Sequence, residues 1–156
     1  MDCQILAFMD GDGADRPEEL PALVGPIASG ERDFVIGSRT RGRREPGSMS
    51  IHQVVAGHVV GRLVALRSGV HYSDMGALRA IHRDALLSLN MREMTFGWNI
   101  EMQVRAARSG LRVLEVPVSY GVRVGGRSKV AGTISGTVRA GLSIASTLVR
   151  VMREPV

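Results

Sequence analysis

With 156 residues, of which 44% are hydrophobic, the chain can bury one ordinary core as a single domain, and its lone cysteine, Cys3, excludes an internal disulfide. No apolar run reaches the roughly 20 residues of a membrane span and no signal peptide opens the chain, so we expect a cytoplasmic protein or one held at the cytoplasmic face of the membrane. The net charge is +5, and all but one of the 20 basic residues are arginine. Because the planar fork of arginine binds phosphate through two hydrogen bonds, composition alone is compatible with nucleic acid, acidic lipid or a phosphorylated substrate as partner.

The first half of the chain alternates apolar runs with polar, glycine-containing loops. Residues 4–9 predict a buried parallel strand that ends at the acidic sequence DGDGAD. A helix follows from Pro17 to Gly30, and residues 33–38 predict a second buried strand. The polar loop SRTRGRREPGSMS then leads into residues 51–67, which are rich in Val, Leu and Ala and predict a largely buried helix.

The second half continues the alternation of strands and helices. Pro117 indicates that the last strand lies at an edge of the sheet or ends there. The alternation as a whole predicts an α/β protein with a mostly parallel sheet and flanking helices. The elements predicted in this half are a strand over 77–81, helices over 83–89 and 98–109, a strand over 111–120 and an amphipathic helix over about 131–152.

Two carboxylates, those of Asp10 and Asp12, directly follow the first predicted strand, where open α/β sheets bind ligands. Mg²⁺ takes oxygen ligands from one or two carboxylates and completes its shell with water and phosphate, so a nucleotide diphosphate fits such a site. Asp15 is a candidate to support the site from outside the ligand set. Because Asp and Gly are also common in surface turns, an ordinary turn is the alternative interpretation.

Four stretches of sequence resemble one enzyme group when they are taken together. They are LAFMDGDGADRPEELPAL, FVIGSRTRG, SDMGALRAIHRDALLSL and FGWNIEMQVRAARSGLRVLEVPVSYGVRVGGRSKVAGT, in that order and across nearly the whole chain. The chain resembles the dolichyl-phosphate mannose synthase and polyprenyl-phosphate glycosyltransferase group of glycosyltransferase family 2, which are inverting enzymes. The resemblance implies a partial GT-A, Rossmann-like fold of nucleotide-diphospho-sugar transferases, in which residues 1–156 are the C-terminal portion of the catalytic domain and the N-terminal nucleotide-binding segment is expected to be missing.

The resemblance also implies roles for acidic residues. Asp10 and Asp12 would be the D-x-D that holds Mg²⁺ or Mn²⁺ against the donor diphosphate. Asp74 would lie near the acceptor, as a general base for a hydroxyl or in an orienting role for a phosphate, with a helix or turn cap as its alternative. Separately from the resemblance, Trp98 and Glu101 lie three residues apart on one helical face and are candidates to position the sugar or the acceptor. There the indole could pack and the carboxylate could orient sugar hydroxyls or an arginine, and a plain core role is as well supported for Trp98.

A set of polar residues in two loops is implied to bind the donor and acceptor phosphates. Fixed cations there would reduce the repulsion between the two anions. Solvated surface side chains are the alternative for these arginines and the preferred interpretation for Arg43, Arg44, Arg105 and Arg108. The implied phosphate-binding residues are Arg39, Arg41, Arg123, Arg127, Ser128 and Lys129.

The function predicted from these features is metal-dependent, inverting transfer of a sugar from a UDP- or GDP-linked donor to a polyprenyl phosphate. A homo-oligomer or a separate chain that supplies the N-terminal half stays open, nucleic acid is not expected, and contact with anionic lipid is expected through Arg139, Arg150 and Arg153. Two alternatives stay open as well. A glycosyltransferase with a hydroxyl acceptor would share the scaffold, and a non-catalytic basic module would bind anionic lipid or nucleic acid through its arginines.

Overall fold

The computed structural model describes residues 3–125 and 134–154, and in the last helix it describes side chains from residue 141 onward. Nine helices and strands follow one another in these ranges, with a short 3₁₀ turn at Pro17–Glu19 before the first helix. They are β1 (Ile5–Phe8), α1 (Leu20–Ala28), β2 (Phe34–Ser38), α2 (Ile51–Ser68), β3 (Arg79–His82), α3 (Arg83–Ser88), α4 (Trp98–Arg108), β4 (Val113–Pro117) and α5 (Ile134–Arg153).

The four strands form one sheet in the order β1, β3, β2, β4. The α/β prediction is confirmed, and β4 lies at an edge of the described sheet as Pro117 indicated. The prediction of a mostly parallel sheet is wrong. In the described sheet β3 runs antiparallel to both β1 and β2, and only β2 and β4 are parallel. The prediction of β1 as a buried parallel strand is also wrong, since β1 is partly exposed and pairs antiparallel with β3 alone among the described strands.

The direction of β3 follows from the path of the chain between β2 and β3. Arg39, directly after β2, donates its backbone N–H to the Asp74 carboxylate at 2.9 Å, so the chain returns to the end of the sheet from which β2 leaves. It then enters β3 from that end. A parallel β3 would require a crossover that carries the chain back to the opposite end of the sheet.

The core lies on both faces of the sheet, and β2 is buried along its whole length. On one face, Val35 packs with Leu23 and Ile27 of α1. On the other, Phe34 and Ile36 pack in a larger cluster with residues of α2, α4 and α5. This alternation along β2 is the two-residue period of a strand that is covered on both sides, in agreement with its place as one of the two inner strands of the described sheet.

Helix α2 begins with a capping box, in which Ser50 and Gln53 bind each other's backbone N–H, and ends at Gly69 in the left-handed conformation. The prediction that α2 is largely buried is wrong, because Gly57, Gly61 and Val64 are its only buried residues. Apolar residues occur all round this helix, so its sequence does not indicate which face is covered. The two glycines determine which face is covered, because they allow that face of α2 to approach the backbone of the loop before β3.

Ion pairs hold α5 against α4. Arg105 binds Glu101 at 2.9 Å and Glu154 at 2.6 Å, and Arg108 donates to the carbonyl of Val151. The interpretation of Arg105 and Arg108 as solvated surface residues is therefore wrong. Both lie on the side of α4 that α5 covers, and carboxylates and helix-terminal carbonyls are the acceptors that a partly buried guanidinium needs.

A Gly61→Ala substitution is expected to destabilise the protein by several kcal/mol, roughly 3, because a Cβ on Gly61 would lie 1.8 Å from the carbonyl oxygen of Tyr72. Urea unfolding measures the change. The matched control is Gly141→Ala in α5, where a Cβ meets nothing within 4 Å in the described structure. That variant is expected to be neutral or up to about 1 kcal/mol more stable, because alanine favours a helix over glycine. Equal effects at both positions would contradict the close approach of α2.

Candidate active site

An open pocket of about 510 Å³ lies at the end of the sheet where β1 and β2 finish. Its floor is formed by the segments that follow these strands and by the loop before β3, and its walls by α2, the start of α4 and α5. One part of the lining is charged and the other is apolar. The lining residues are Asp10, Arg39, Gln53, Ala56, Gly57, Val60, Asp74, Met75, Thr95, Phe96, Trp98, Asn99, Ile100, Tyr120, Arg123 and Ile144.

Arg39 and Asp74 form a two-pronged ion pair in the pocket floor. Nε and Nη2 of Arg39 donate to Oδ2 and Oδ1 of Asp74 at 2.7 and 2.8 Å. The backbone N–H groups of Arg39 and Met75 donate to the same carboxylate at 2.9 and 2.7 Å. Both oxygens of Asp74 are therefore engaged, and the geometry is the planar fork of a strong arginine–carboxylate pair.

The charge state of this pair follows from its surroundings. Burial by itself raises the pKa of Asp74, but the hydrogen bonds and positive charge of Arg39 outweigh it and hold the pKa below the ordinary value. Burial lowers the pKa of Arg39, and the hydrogen bonds and charge of Asp74 more than compensate, so the pKa of Arg39 is raised. Asp74 is thus a carboxylate and Arg39 a guanidinium throughout the neutral range.

The loop that carries Asp74 is held by Glu115, a residue that the sequence analysis did not single out. Glu115 of β4 accepts the backbone N–H of Ser73 at 2.9 Å and that of Asp74 at 3.3 Å. From the other side, Gln103 of α4 donates to the Asp74 carbonyl at 3.0 Å. Glu115 could be found only from the pairing of β4 with β2, which places it beside this loop.

Arg79 lies beneath the pocket and is completely buried. Its guanidinium donates to the carbonyls of Ala77, Asn99 and Gly76, which joins the loop before β3 to the start of α4. Burial lowers the pKa of Arg79 to about 10, so it stays charged at neutral pH. Nothing in the sequence distinguishes this arginine from an ordinary strand residue, and its position under the pocket is set by the sheet.

The two aspartates of the D-x-D differ in their environments. Asp10 is exposed and lines the pocket. Asp12 is 10% exposed, and its Oδ1 accepts the backbone N–H of Ala14 at 2.9 Å. Its Oδ2 lies 2.9 Å from Nη2 of Arg123, yet receives no well-directed hydrogen bond from the described residues. This buried carboxylate oxygen thus has an unused acceptor position, which is the kind of donor that a hard cation takes.

Asp15 supports the loop from behind. It is buried, and its Oδ2 accepts the backbone N–H of Asp10 at 2.9 Å. Burial raises the pKa of Asp15, the hydrogen bond from Asp10 lowers it, and the neighbouring charges of Asp10 and Asp12 raise it further. The described residues hold no group of three or more His, Cys, Asp or Glu side chains arranged for a metal. A cation at Asp10 and Asp12 would therefore take its other ligands from water and substrate.

The other residues expected at the site fall into three groups. Arg123 lines the pocket beside Asp12, and Trp98 lines it while packing edge-on against Phe8 at 4.9 Å between ring centroids. Arg41 does not line the pocket, since it is half-exposed and donates to the carbonyl of Glu115 at 3.3 Å. Arg127, Ser128 and Lys129 lie outside the described residues.

Glu101 does not reach the pocket, although it shares α4 with Trp98. It is completely buried and accepts the backbone N–H groups of Arg92 and Glu93, at 3.0 and 2.5 Å, together with the side chain of Arg105. Its carboxylate orders the segment before α4 instead of facing a ligand. The helical spacing alone could not show this, because residues three apart share a face only approximately.

Tyr120 is a pocket residue that the sequence did not indicate. Its ring lies 5.0 Å from the Arg39 guanidinium carbon, in position for a cation–π contact, and its backbone bridges both Asp15 and Arg44. Burial raises the pKa of Tyr120, so the ring keeps its phenolic proton at neutral pH. Tyr120 thus connects the D-x-D loop, Arg39 and the pocket.

Known proteins resemble this chain in sequence and in fold. An uncharacterized glycosyltransferase of Mycobacterium tuberculosis is 36% identical over 138 residues, which cover 87% of this chain and 61% of the relative. The undecaprenyl-phosphate mannosyltransferase of Micrococcus luteus is 32% identical over 143 residues, which cover 85% of this chain and 55% of the enzyme. The chain therefore spans only somewhat more than half the length of these relatives.

A solved structure shares the fold of the whole chain. Glucosyl-3-phosphoglycerate synthase from Mycobacterium tuberculosis superposes with a TM-score of 0.68 and 20% identity, over all of this chain and 52% of the synthase. That synthase has also been crystallised with Mn²⁺, UDP-glucose and phosphoglyceric acid. The likeness shows that the fold is GT-A-like, with a mixed sheet and flanking helices.

The family follows from the sequence match over more than half of the chain. The profile described as Glycosyl transferase family 2 matches residues 1–89, which contain the D-x-D, Arg39 and Asp74. This match, together with the GT-A-like fold, shows that the chain belongs to glycosyl transferase family 2.

Proposed function

We propose that this chain is the C-terminal portion of a catalytic domain that transfers a sugar from a nucleotide-sugar donor to a polyprenyl phosphate, with inversion at the anomeric carbon. The observation that carries the proposal is the Arg39 and Asp74 pair in the floor of the pocket that Asp10 and Arg123 also line. The similarity to an undecaprenyl-phosphate mannosyltransferase supports the same acceptor class. In this proposal, the base and ribose of the donor nucleotide are recognised by residues other than the described ones.

The state of Asp74 favours an anionic acceptor over a hydroxyl. A general base works best with a pKa near the operating pH and a free lone pair aimed at the proton. Asp74 has a lowered pKa, and both of its oxygens are occupied by Arg39 and backbone N–H groups. A phosphate acceptor is already ionised near neutral pH and needs no base. Asp74 is therefore proposed to orient Arg39, which in turn orients the acceptor phosphate.

The charges in the pocket favour a divalent cation at the D-x-D. Among the described residues, Asp10, Asp12 and Asp74 face Arg39 and Arg123, so the arginines do not outweigh the carboxylates. From the described residues alone, a donor diphosphate would find no net positive charge there. Asp10 and the unused oxygen of Asp12 are proposed to hold Mg²⁺ or Mn²⁺, which would act as a Lewis acid toward the leaving diphosphate.

In the proposed reaction, an oxygen of the acceptor phosphate forms a bond to the anomeric carbon while the bond from that carbon to the nucleotide diphosphate breaks. The diphosphate leaves with the bonding electron pair, and no proton transfer is needed. Arg39 holds the attacking phosphate, Trp98 forms an apolar wall for the sugar, and Arg123 is placed to approach the diphosphate side. Bringing two anions together in this way depends on fixed positive charge near both.

The proposal is tested by calorimetric titration of the protein with UDP-glucose and GDP-mannose, with Mn²⁺ or with a chelator, followed by an assay of transfer to undecaprenyl phosphate and to undecaprenol. We expect metal-dependent binding of one donor and transfer to the phosphate alone. Transfer to the alcohol would favour the hydroxyl-acceptor alternative. The function would be rejected if no donor bound, even after adding the part of the relatives' sequence that this chain does not cover.

Peripheral contact with the cytoplasmic face of a membrane belongs to the same proposal. Among the described residues, no helix is long and apolar enough to cross a bilayer.

A further inference from the structure

Helix α2 presents a row of large apolar side chains to solvent. Between 43% and 81% of each of these residues is exposed, and we call the row the α2 outer face. Its members are Ile51, Val55, Val59, Leu63 and Leu66. Single exposed apolar residues are common on protein surfaces, but a contiguous row of this kind marks a surface with a partner.

The spacing of these residues places them in one stripe beside the pocket. Successive members lie four, four, four and three residues apart, so at about 100° per residue they follow one side of the helix. The neighbouring side of α2 lines the pocket through Gln53, Ala56 and Val60. The α2 outer face therefore adjoins the apolar part of the pocket mouth.

The charged residues of α2 itself are all basic, and the one acidic residue of the loop before it, Glu45, pairs with Arg16 at 2.8 Å. Helix α2 contains no Asp or Glu in its 18 residues. Its exposed polar residues include His52, Arg62 and Arg67, and the loop before it adds Arg43 and Arg44. Apolar side chains that alternate with basic ones, without acidic ones, form the pattern of a helix that lies in the interface of an anionic bilayer.

A second copy of the chain fits this face poorly. In a two-fold dimer the same patch meets itself, so Arg62 and Arg67 of one copy would approach those of the other with no acidic residue on α2 to pair with them. Arg150 of α5 offers a weaker lipid contact, because it lies 3.3 Å from Glu101 and Glu154 and 3.9 Å from Glu93. The side chain of Arg139 lies outside those described.

We propose that the α2 outer face lies in the headgroup region of an anionic lipid bilayer, with its apolar side chains inserted and Arg62 at the phosphate level. The docking itself does not depend on sugar transfer. Its use rests on the proposed function, because it would bring the apolar mouth of the pocket to the surface from which a membrane-borne phosphate enters.

Flotation with vesicles that contain phosphatidylglycerol, compared with vesicles of phosphatidylcholine alone, tests the proposal without donor or polyprenyl phosphate. The variants are Leu66→Glu and Val55→Glu, which change exposed side chains and leave the pocket lining intact. Leu87→Glu in α3 is the matched control, since Leu87 is also an exposed leucine and receives the same charge. Circular dichroism checks that all three variants fold.

We expect the unmodified protein to float with the anionic vesicles only, the two α2 variants to bind roughly tenfold more weakly, and the Leu87 variant to bind normally. Failure of the unmodified protein to float overturns the proposal, as does an equal loss in the Leu87 variant. If Leu66→Glu instead converts a dimer into monomers and leaves flotation unchanged, the face belongs to a second copy. Because the vesicles hold no acceptor, none of these outcomes bears on donor binding.

Discussion

An Asp12→Asn variant is expected to lose metal-dependent binding of the nucleotide sugar by on the order of 100-fold. The neutral amide of asparagine would bind a divalent cation more weakly than the carboxylate does. Arg123, whose Nη2 lies 2.9 Å from Oδ2 of Asp12, would also lose its carboxylate partner. The measurement is titration of the donor with and without Mn²⁺. In the variant, the two curves are expected to coincide, because binding that does not use the metal is unaffected.

The matched control for this experiment is Asp33→Asn. Asp33 also pairs with an arginine, Arg112, at 2.6 Å, but it precedes β2 and so lies at the end of the sheet opposite the pocket. Its replacement is expected to leave donor binding unchanged. If Asp12→Asn keeps metal-dependent binding, or if both variants lose it equally, Asp12 does not hold the metal and the surface-turn interpretation of the D-x-D gains support.

An Asp74→Asn variant is expected to lose about 3 kcal/mol of stability at neutral pH together with most of its activity. The substitution leaves Arg39, whose side chain is 15% exposed, without its carboxylate partner, and a buried charge without a partner is costly. Because the pKa of Asp74 is lowered in the folded protein, its contribution is present above the unfolded pKa of about 4 and is lost as the pH falls through the folded value. The stability difference between the two proteins is therefore expected to shrink in acid, as urea unfolding at several pH values would show.

The pH dependence of transfer separates the two roles of Asp74. If Asp74 orients Arg39, the kcat/KM of the unmodified protein shows no inflection from this carboxyl near neutral pH, and Arg39→Lys loses activity because lysine cannot form the two-pronged pair. A general base with a raised pKa would produce an inflection in that range. Activity of Arg39→Lys close to that of the unmodified protein would also contradict the orienting role.

Local features of the sequence were sufficient for the order of elements and for one part of the site. The apolar run at residues 5–8, followed by Asp10 and Asp12, correctly placed two carboxylates at the end of a strand. The observed helix α2, Ile51–Ser68, closely matches the predicted range of 51–67. These features depend on residues near each other in the chain, which is why propensity and spacing reveal them.

Contacts between residues from distant parts of the chain could not be predicted from the sequence pattern. Arg39 and Asp74 are 35 residues apart, and their pairing exists only because the chain returns to the end of the sheet from which β2 leaves. Glu115 reaches the Asp74 loop through the pairing of β4 with β2. The helical spacing left two roles open for Glu101, orienting sugar hydroxyls or an arginine, and the packing of α5 against α4 decided for the second by burying it beside Arg105 and Arg150.

The sequence by itself determined the α/β class, the likeness to a family of sugar transferases and the acidic loop after the first strand. The tertiary structure decided the antiparallel direction of β3, the solvent exposure of α2 and the engagement of both Asp74 oxygens by Arg39. The physical reason is the same in each case. Strand direction, helix facing and ion pairing are set by contacts between distant segments, and an apolar residue has the same letter in the sequence whether the fold covers it or leaves it exposed.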